Sequence, residues 1–420
     1  EKNGVTVTVI DFVHFRGHYN PVAYLKTDED AMKLAYALVF NTKKNPAASG
    51  GENEFWDKSA VMFLASLILY ILYESPLYER NLNTMMDMIL ECKVSEDSYD
   101  ENRMDILFGE LEQRDPHHPA VLQYRSFKLG SAKTLSSIMV TAVSNLHMLQ
   151  SAAFAEMIAT DEMFLPKLGV EKRAIFCVIP DNDDTFNFMV SILYTQLFDQ
   201  LFRLADSTPE FHGTLPVHVR LMMDEFANVS LPDDFDKILS VMRSRGVSVS
   251  IILQNLAQLK ALFEKQWESI VGNCDEFLYL GGNEQSTHKY VSELLGKETI
   301  DTNTFGKSSG RSGNYSTNYQ ISGRELLTPD EVRMLDNQYA ILFIRGERPV
   351  MDLKYDILKH PNVAFTTDGK GGVYRHGEVT KNVATIEALW LDPDTVPEAE
   401  LSETTYELLS DEDFETITTN

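Results

Sequence analysis

The sequence predicts an α/β fold in which a doubly wound parallel sheet carries an inserted all-α domain. Three observations support this prediction. Apolar segments rich in β-branched residues alternate with helical patterns from Ala174 onward, a similar segment opens the chain, and the stretch between them has helical periodicity. Alternating strands and helices are typical of a parallel sheet covered on both faces.

The strand predictions rest on short runs of apolar and β-branched residues. Their near-continuous apolar character favours burial on both faces, as parallel sheets require. The predicted strands are Val5–Phe12, Ala174–Ile179, Val217–Met223, Val247–Leu253, Phe277–Leu280 and Tyr339–Ile344. From the second of these to the fifth, each is followed by a helical pattern, so we expect the strands to run parallel.

The helical stretch sets the predicted order of domains. It runs from Phe55 to about Ile158 and contains the longest apolar run, Ala60–Tyr73. That run is shorter than the roughly 20 residues needed to cross a bilayer, so it predicts a buried helix. The predicted division is a first part of the α/β domain at 1–50, the all-helical domain at 51–165, the second part of the α/β domain at 166–362 and an acidic tail at 363–420.

Two local predictions concern the region before the last strand. Thr328 is followed by Pro329 and, three residues after the threonine, by Glu331. This pattern starts a helix, which is expected to continue through Met334. Residues 301–318 are rich in Gly, Ser, Asn and Thr and predict a mobile surface loop.

The charge of the chain is strongly acidic. Its 420 residues have a formal net charge of −26, and residues 382–420 hold eleven Asp or Glu and no Lys or Arg. A general basic surface for gripping duplex DNA is excluded, so any DNA contact is expected to be local. We expect the acidic segment to be disordered or to capture a basic partner. Three scattered cysteines without a CxxC pair indicate a reducing, cytoplasmic compartment.

The clearest chemical signal follows the Val217–Met223 strand. Asp224 and Glu225 come directly after it. Adjacent carboxylates at the end of an apolar strand fit the Walker B site of an ATPase, in which the first acid helps to hold Mg²⁺ and the second activates the attacking water. Asp-Glu also caps helices, so this pattern alone leaves both interpretations open.

The next predicted strand has polar residues at both ends. Arg243 and Arg245 precede it, and Gln254 closes it. A glutamine beside the Walker B strand can sense the γ-phosphate or the water, and an arginine here can reach a phosphate bound to a neighbouring subunit. The alternative interpretations are a capped strand end and a solvated basic turn.

Longer segments resemble one family in both order and spacing. They are HYNPVAYL at 18–25, FCVIPDNDDTFNFMVSILYTQLF at 176–198, LMMDEFANV at 221–229, MRSRGVSVSIILQNLAQLKALF at 242–263, IVGNCDEFLYLGG at 270–282, SGRELLTPDEVRML at 322–335 and ILFIRGERPV at 341–350. Together they resemble the TraG/TraD family of type IV secretion coupling proteins over residues 5–360.

The resemblance implies a RecA-like P-loop NTPase that uses ATP and Mg²⁺, with the helical domain inserted between Walker A and Walker B. It gives the Walker B roles to Asp224 and Glu225, with Asp224 at Mg²⁺. By position, Arg243 resembles the arginine that acts on a neighbouring subunit, and Gln254 resembles the sensor at the strand end. Arg245 is the less favoured candidate for that arginine.

The resemblance also implies the biological setting. We expect a homo-hexamer with a central channel that brings a relaxase and single-stranded DNA to the type IV secretion channel. The expected location is the cytoplasmic face of the plasma membrane, reached through an N-terminal membrane anchor. That anchor and the phosphate-binding loop are expected before residue 1, so this chain by itself is expected to be inactive as an ATPase.

Residues 130–134 are an apparent substitute for the missing loop. Gly130-Ser-Ala-Lys133-Thr134 looks like GSGKT, but Phe127 and Ala132 occupy positions that need glycine, and no strand precedes them. The segment instead predicts a helix start.

Two other functions compete with the coupling ATPase. One is an FtsK-like double-strand DNA translocase, which lacks a large helical insertion between the Walker motifs. The other is a non-hydrolysing protein of the secretion channel that docks substrates.

Overall fold

The computed structural model describes residues 4–41, 52–92, 102–180, 183, 185–232, 234–307 and 315–372, with side chains for all of these except 52–54 and 301–320. The chain divides into two compact units, Glu1–Tyr355 and Asp356–Asn420. The described part of the second unit contains two short 3₁₀ helices, Ile357–Lys359 and Pro361–Phe365. The acidic segment 382–420 lies outside the described residues.

All six predicted strands form, and the described chain contains three more. In chain order the strands are β1 (Thr6–Asp11), β2 (Arg173–Val178), β3 (Val219–Met223), β4 (Val247–Ile251), β5 (Glu276–Tyr279), β6 (Lys297–Lys307), β7 (Tyr315–Glu325), β8 (Tyr339–Ile344) and β9 (Val350–Leu353). β1 pairs with β2 and β3 with β4, both in parallel. The parallel prediction is therefore confirmed for these four strands.

The helical stretch predicted from Phe55 to about Ile158 is also confirmed. It contains α2 (Glu52–Glu74), α3 (Leu82–Glu91), α4 (Arg103–Arg114), α5 (Pro119–Lys128), α6 (Ala132–Leu146) and α7 (Ala152–Ala159). Helix α1 (Asp28–Phe40) precedes it and was not predicted. The later helices are α8 (Asn187–Ser207), α9 (Phe235–Met242), α10 (Leu256–Leu262), α11 (Trp267–Asn273), α12 (Gln285–Leu295) and α13 (Pro329–Arg333).

Helix α2 lies at the centre of the helical stretch. It packs against α1, α5 and α6, and the buried ring of Phe63 lies 4.6 Å from the ring of Phe127. By length and composition Phe55–Glu74 is the one unbent helix of the described chain apolar enough to span a membrane, and most of it is buried inside the protein. The predicted buried helix at Ala60–Tyr73 is confirmed.

The predicted helix starts form as expected. The Glu331 N–H donates to Thr328 Oγ1 (3.3 Å) and the Thr328 N–H donates to Glu331 Oε2 (2.8 Å), a reciprocal cap. Helix α13 ends at Arg333, one residue before the predicted end. Ser131 caps α6 by accepting the Thr134 N–H, so Gly130–Thr134 is a helix start.

The predicted surface loop at 301–318 is wrong for its described residues. β6 and β7 pair as an antiparallel hairpin, from Lys297 opposite Glu325 to Lys307 opposite Tyr315. Thr, Phe and Tyr, which favour strands, are interspersed among the Gly, Ser and Asn of this segment. A hairpin ladder is held by backbone hydrogen bonds, so the polar composition does not prevent it.

The expectation that β5 and β8 run parallel is also wrong. They are antiparallel neighbours, with Tyr279 opposite Ile341, and β9 extends the sheet on the other side of β8. The chain between them contains α12, the β6–β7 hairpin and α13. This connection returns the chain to the end of the sheet where β5 left it, so β8 runs back along β5.

Candidate functional site

The two adjacent acids lie where the sequence predicts, immediately after β3. Side chains of β3 are alternately buried and exposed, and Asp224 and Glu225 are both exposed. The next residue, Phe226, is fully buried, and its N–H donates to the main-chain oxygen of Ile252 (3.0 Å). The buried ring and this hydrogen bond hold the turn against the neighbouring strand, so both carboxylates point away from the core.

Glu225 has a strained backbone. Its φ of 44° and ψ of 49° lie in the left-handed region, which non-glycine residues rarely occupy. Its N–H donates to Asp224 Oδ1 (3.0 Å), and its Oε2 accepts from Asn228 Nδ2 (3.1 Å). Strain of this kind is concentrated at functional sites, where it positions a side chain. The sequence analysis did not predict a role for Asn228. Its position three residues after Glu225 is the sequence feature that could have indicated this contact.

Gln254 lies at the same edge of the sheet as the two acids. β3 and β4 are parallel, with Met223 opposite Ile251, and the Ile252 N–H donates to the main-chain oxygen of Met223 (3.0 Å). Asp224 therefore follows one strand and Gln254 follows its neighbour at their shared C-terminal edge. The Gln254 N–H donates to Gln258 Oε1 (3.1 Å), and its side chain is exposed.

Arg243 lies at the opposite edge. It precedes β4, which at about 3.3 Å per residue puts roughly 15 Å between the two ends of the strand. Its side chain is 82% exposed, and Nη1 lies 3.7 Å from Asp275 Oδ2, a loose surface pair. Asp275 immediately precedes β5 and also pairs with Arg345 at 3.0 Å. Arg243 is therefore not part of the carboxylate site within its own chain.

Arg245 is held within its own chain. Its guanidinium donates to both carboxylate oxygens of Asp206, at 2.8 to 3.2 Å, and lies over the ring of Phe202 at 5.0 Å. Of the two arginines, Arg243 is the more available to a second molecule.

Comparison with known proteins now identifies the family. A family model described as type IV secretory system conjugative DNA transfer matches residues 1–360. The chain belongs to this family. The predicted resemblance to type IV secretion coupling proteins is thereby confirmed.

Two relatives show how much of a conjugative DNA transfer protein the chain represents. It is 24% identical to the conjugal transfer protein TraG of Escherichia coli over 318 residues, which are 72% of this chain and 48% of that protein. It is 24% identical to VirD4 of Rhizobium radiobacter over 184 residues, 43% of this chain and 26% of that protein. The chain thus spans less than half the length of either relative.

Solved structures of the conjugative coupling protein TrwB share the fold. The trigonal form of TrwBdeltaN70 in complex with sulphate matches with a TM-score of 0.55 and 16% identity, over 86% of this chain and 76% of that one. TrwB in complex with ADP and Mg²⁺ matches with a TM-score of 0.51 and 16% identity, over 84% and 75%. The predicted fold class, a RecA-like α/β fold with an inserted all-α domain, is confirmed.

The described part of this family member contains no group of three or more His, Cys, Asp or Glu side chains that could hold a metal ion. At the end of β3, Asp224 offers one exposed carboxylate to a metal ion, next to the carboxylate of Glu225. Mg²⁺ at nucleotide sites is commonly bound by one or two protein oxygens together with phosphates and water. One exposed acid at a strand end therefore fits a magnesium ion that arrives with a nucleotide.

Proposed function

We propose that the whole protein is the coupling ATPase of a conjugative type IV secretion system. It recruits a relaxase–single-stranded DNA complex and drives its transfer through the secretion channel by hydrolysing ATP at the interfaces of a homo-hexamer. The observation that carries this proposal is the shared edge of β3 and β4, where Asp224, Glu225 and Gln254 follow neighbouring parallel strands. Family membership and the ADP–Mg²⁺ complex of TrwB support it.

Each residue at this edge has a distinct role in the proposal. Asp224 binds Mg²⁺ together with ATP, and the ion supplies positive charge that stabilises the transferring phosphoryl group. Glu225 orients and activates the attacking water, and the hydrogen bond from Asn228 to Oε2 limits the directions in which that carboxylate can point. Gln254 contacts the γ-phosphate or the water from the adjacent strand end.

Arg243 has its proposed role in a neighbouring subunit. Its distance of about one strand length from Asp224 excludes a contact within the same rigid sheet. Its high exposure and weak pairing with Asp275 leave the guanidinium free to move to a phosphate of the next subunit. Positive charge delivered in this way stabilises the transition state.

The phosphate-binding loop of the whole protein is proposed to lie N-terminal to residue 1. Support comes from β4, which among the described residues pairs only with β3, so its second edge has backbone groups available for another strand. A strand ending in the loop at this edge would bring phosphate-binding amides next to Asp224 and Gln254. An N-terminal membrane anchor would hold the whole protein at the cytoplasmic face of the plasma membrane.

The alternatives make different predictions. A double-strand DNA translocase of the FtsK type is disfavoured because α2–α7 form a large helical insertion. A non-hydrolysing docking protein would bind secretion substrates without needing Glu225. Substituting Glu225 would therefore impair an ATPase but leave the function of a docking protein unchanged.

The first test is Glu225→Gln in the protein that includes the phosphate loop. ATP hydrolysis should fall by about 10² or more, because the carboxylate that handles the water is lost, while ATP binding persists, because the shape is kept. Steady-state phosphate release and equilibrium binding of a fluorescent ATP analogue measure the two effects. Wild-type turnover in Glu225→Gln would place the catalytic carboxylate elsewhere.

The second test uses the 420-residue chain. Calorimetric titration with Mg-ATP should show weak binding or none, because most phosphate-facing amides belong to the loop. Micromolar affinity in this chain would show that the phosphate site is misassigned.

A further inference from the structure

One short turn carries both arginines that precede β4, and its main chain is attached to the segment that leads into β3. The turn is Arg243–Arg245, a 3₁₀ turn between α9 and β4. The Leu215 N–H donates to the main-chain oxygen of Arg245 (3.1 Å), and Thr214 Oγ1 donates to the main-chain oxygen of Ser244 (2.9 Å). The point at which the Arg243 side chain leaves the backbone is therefore defined relative to β3.

The Arg245 side chain attaches the same turn to α8. Its guanidinium donates to both carboxylate oxygens of Asp206 at the end of that helix, at 2.8 to 3.2 Å, and lies over the ring of Phe202 at 5.0 Å. Nη1 also donates to the main-chain oxygen of Val241 in α9 (3.3 Å). A planar guanidinium that makes paired hydrogen bonds and stacks on a ring is restricted in orientation. Arg245 therefore joins α8, α9 and the turn.

Helix α8 is a firm support for this attachment. It is 21 residues long, and the side chain of Phe198 on it is buried in the core. Tyr19 Oη donates to Gln196 Oε1 (2.6 Å), and Gln200 Nε2 donates to the main-chain oxygen of Tyr24 (3.1 Å). These hydrogen bonds fix α8 to the segment between β1 and α1. A group bound to α8 is consequently held against a large part of the molecule.

Arg243 shares the turn but not the restraint on its side chain. That side chain is 82% exposed, against 24% for Arg245, and its one ion pair is the loose contact with Asp275 at 3.7 Å. The turn thus holds one guanidinium and presents the other to solvent. Because both side chains leave the same short turn, reorienting the turn displaces the Arg243 guanidinium. A misplacement of about 1 Å can lower the rate of a catalysed reaction about 10²-fold.

We propose that Arg245 is a positioning residue for Arg243. By holding the turn against Asp206 and Phe202, it sets the direction in which Arg243 extends toward a nucleotide bound to the neighbouring subunit. This inference rests on the proposed function, in which Arg243 acts on that nucleotide. It gives the second arginine of the turn a role that involves no contact with phosphate, because its guanidinium is already bound to α8.

Hydrogen exchange of the 420-residue chain tests the attachment without ATP. Arg245→Gln removes the charge and the paired hydrogen bonds to α8. Amide exchange in peptides that cover 213–219 and 243–246 should become at least about tenfold faster, because the hydrogen bonds between these segments then open more often. The matched control is Arg103→Gln, which removes an exposed ion pair with Glu91 (2.7 Å) and should leave this exchange unchanged. Wild-type exchange in Arg245→Gln, or an equal change in the control, would overturn the inference.

Turnover of the protein that includes the phosphate loop tests the consequence for Arg243. Arg245→Gln should lower kcat at least about tenfold while ATP binding stays unchanged, because the neighbour's phosphate is contacted only during turnover. Asp206→Ala should have the same effect, since it removes the carboxylate partner. In a double-mutant cycle, Arg245→Gln should cause no further loss in the Arg243→Ala background, where no guanidinium remains to be positioned. A further tenfold loss there would show that Arg245 acts independently of Arg243.

The same variants separate this inference from the proposed function. If Arg243→Ala hydrolyses ATP like the wild type, the proposed role of Arg243 in a neighbouring subunit is wrong, whatever holds the turn. If Arg243→Ala is slow but Arg245→Gln is as fast as the wild type, Arg243 acts without help from Arg245. In that case only the positioning role fails, and the proposed ATPase stands.

Discussion

The left-handed backbone at Glu225 leads to a quantitative prediction for stability. A non-glycine residue in this conformation costs about 1–2 kcal/mol, whereas glycine adopts it freely but loses about 0.5–1 kcal/mol more conformational entropy on folding than alanine. Glu225→Gly and Glu225→Ala both lose the hydrogen bond from Asn228, so that loss cancels between them. Glu225→Gly should therefore have a free energy of unfolding about 0.75 kcal/mol higher than that of Glu225→Ala.

Urea denaturation of the 420-residue chain, followed by tryptophan fluorescence, measures this difference. The control is Lys289, an exposed residue inside α12. There the order should reverse, and Lys289→Gly should be about 1 kcal/mol less stable than Lys289→Ala. If Glu225→Ala is as stable as Glu225→Gly, position 225 does not hold a strained backbone. Backbone strain would then not be what positions this carboxylate.

Three further predictions concern other parts of the molecule. Arg243→Ala should lower turnover by about 10³ with ATP binding unchanged. Mixing Arg243→Ala subunits with Gln254→Ala subunits should restore part of the ATPase rate, because some interfaces then combine a wild-type Gln254 with a wild-type Arg243 from the neighbour; no restoration would contradict action on a neighbouring subunit. Burial acts to raise the pKa of Glu284, but hydrogen bonds from Thr287 and Ser286 outweigh it and lower that pKa from 4.5 to about 2. The melting temperature of wild type should therefore exceed that of Glu284→Gln above about pH 4.5, and the difference should vanish as the pH falls through about 2; a constant difference would contradict this cause. Phe63→Ala should cost about 3–5 kcal/mol in chemical denaturation because the ring is fully buried in α2.

The two arginines differ in how freely their guanidinium groups can reach a second molecule, because their surroundings differ. Arg245 has a bidentate partner and an aromatic ring beneath it, while Arg243, two residues earlier, has one loose ion pair. Removing Asp275 would release Arg243 only slightly, because an exposed pair at 3.7 Å contributes little. The local sequence, MRSRG, cannot distinguish the two, since both arginines lie in the same short turn.

The sequence by itself determined the elements whose signals are local. Apolar runs of β-branched residues marked β1 to β5 and β8, helical periodicity marked the stretch from α2 to α7, and the Thr328 cap marked α13. The sequence also predicted which strand ends carry the site residues. Parallel strands that each precede a helix have their C-terminal ends at one edge of the sheet, so Asp224, Glu225 and Gln254 were expected together there, with Arg243 before β4. These inferences depend on residues close in sequence, or on the right-handed connection that strand–helix–strand units share.

Only the tertiary structure decided which segments pair over long distances and what conformation they impose. The hairpin of β6 and β7 and the antiparallel return of β8 depend on partners far along the chain, whereas residue periodicity reports burial and not the identity of a neighbouring strand. The left-handed φ of Glu225 arises because buried Phe226 and its hydrogen bond to Ile252 fix the turn after β3. A cleft lined by Gly282 and Asp336 forms where the chain after α13 folds back onto the end of β5, a contact that no local pattern encodes.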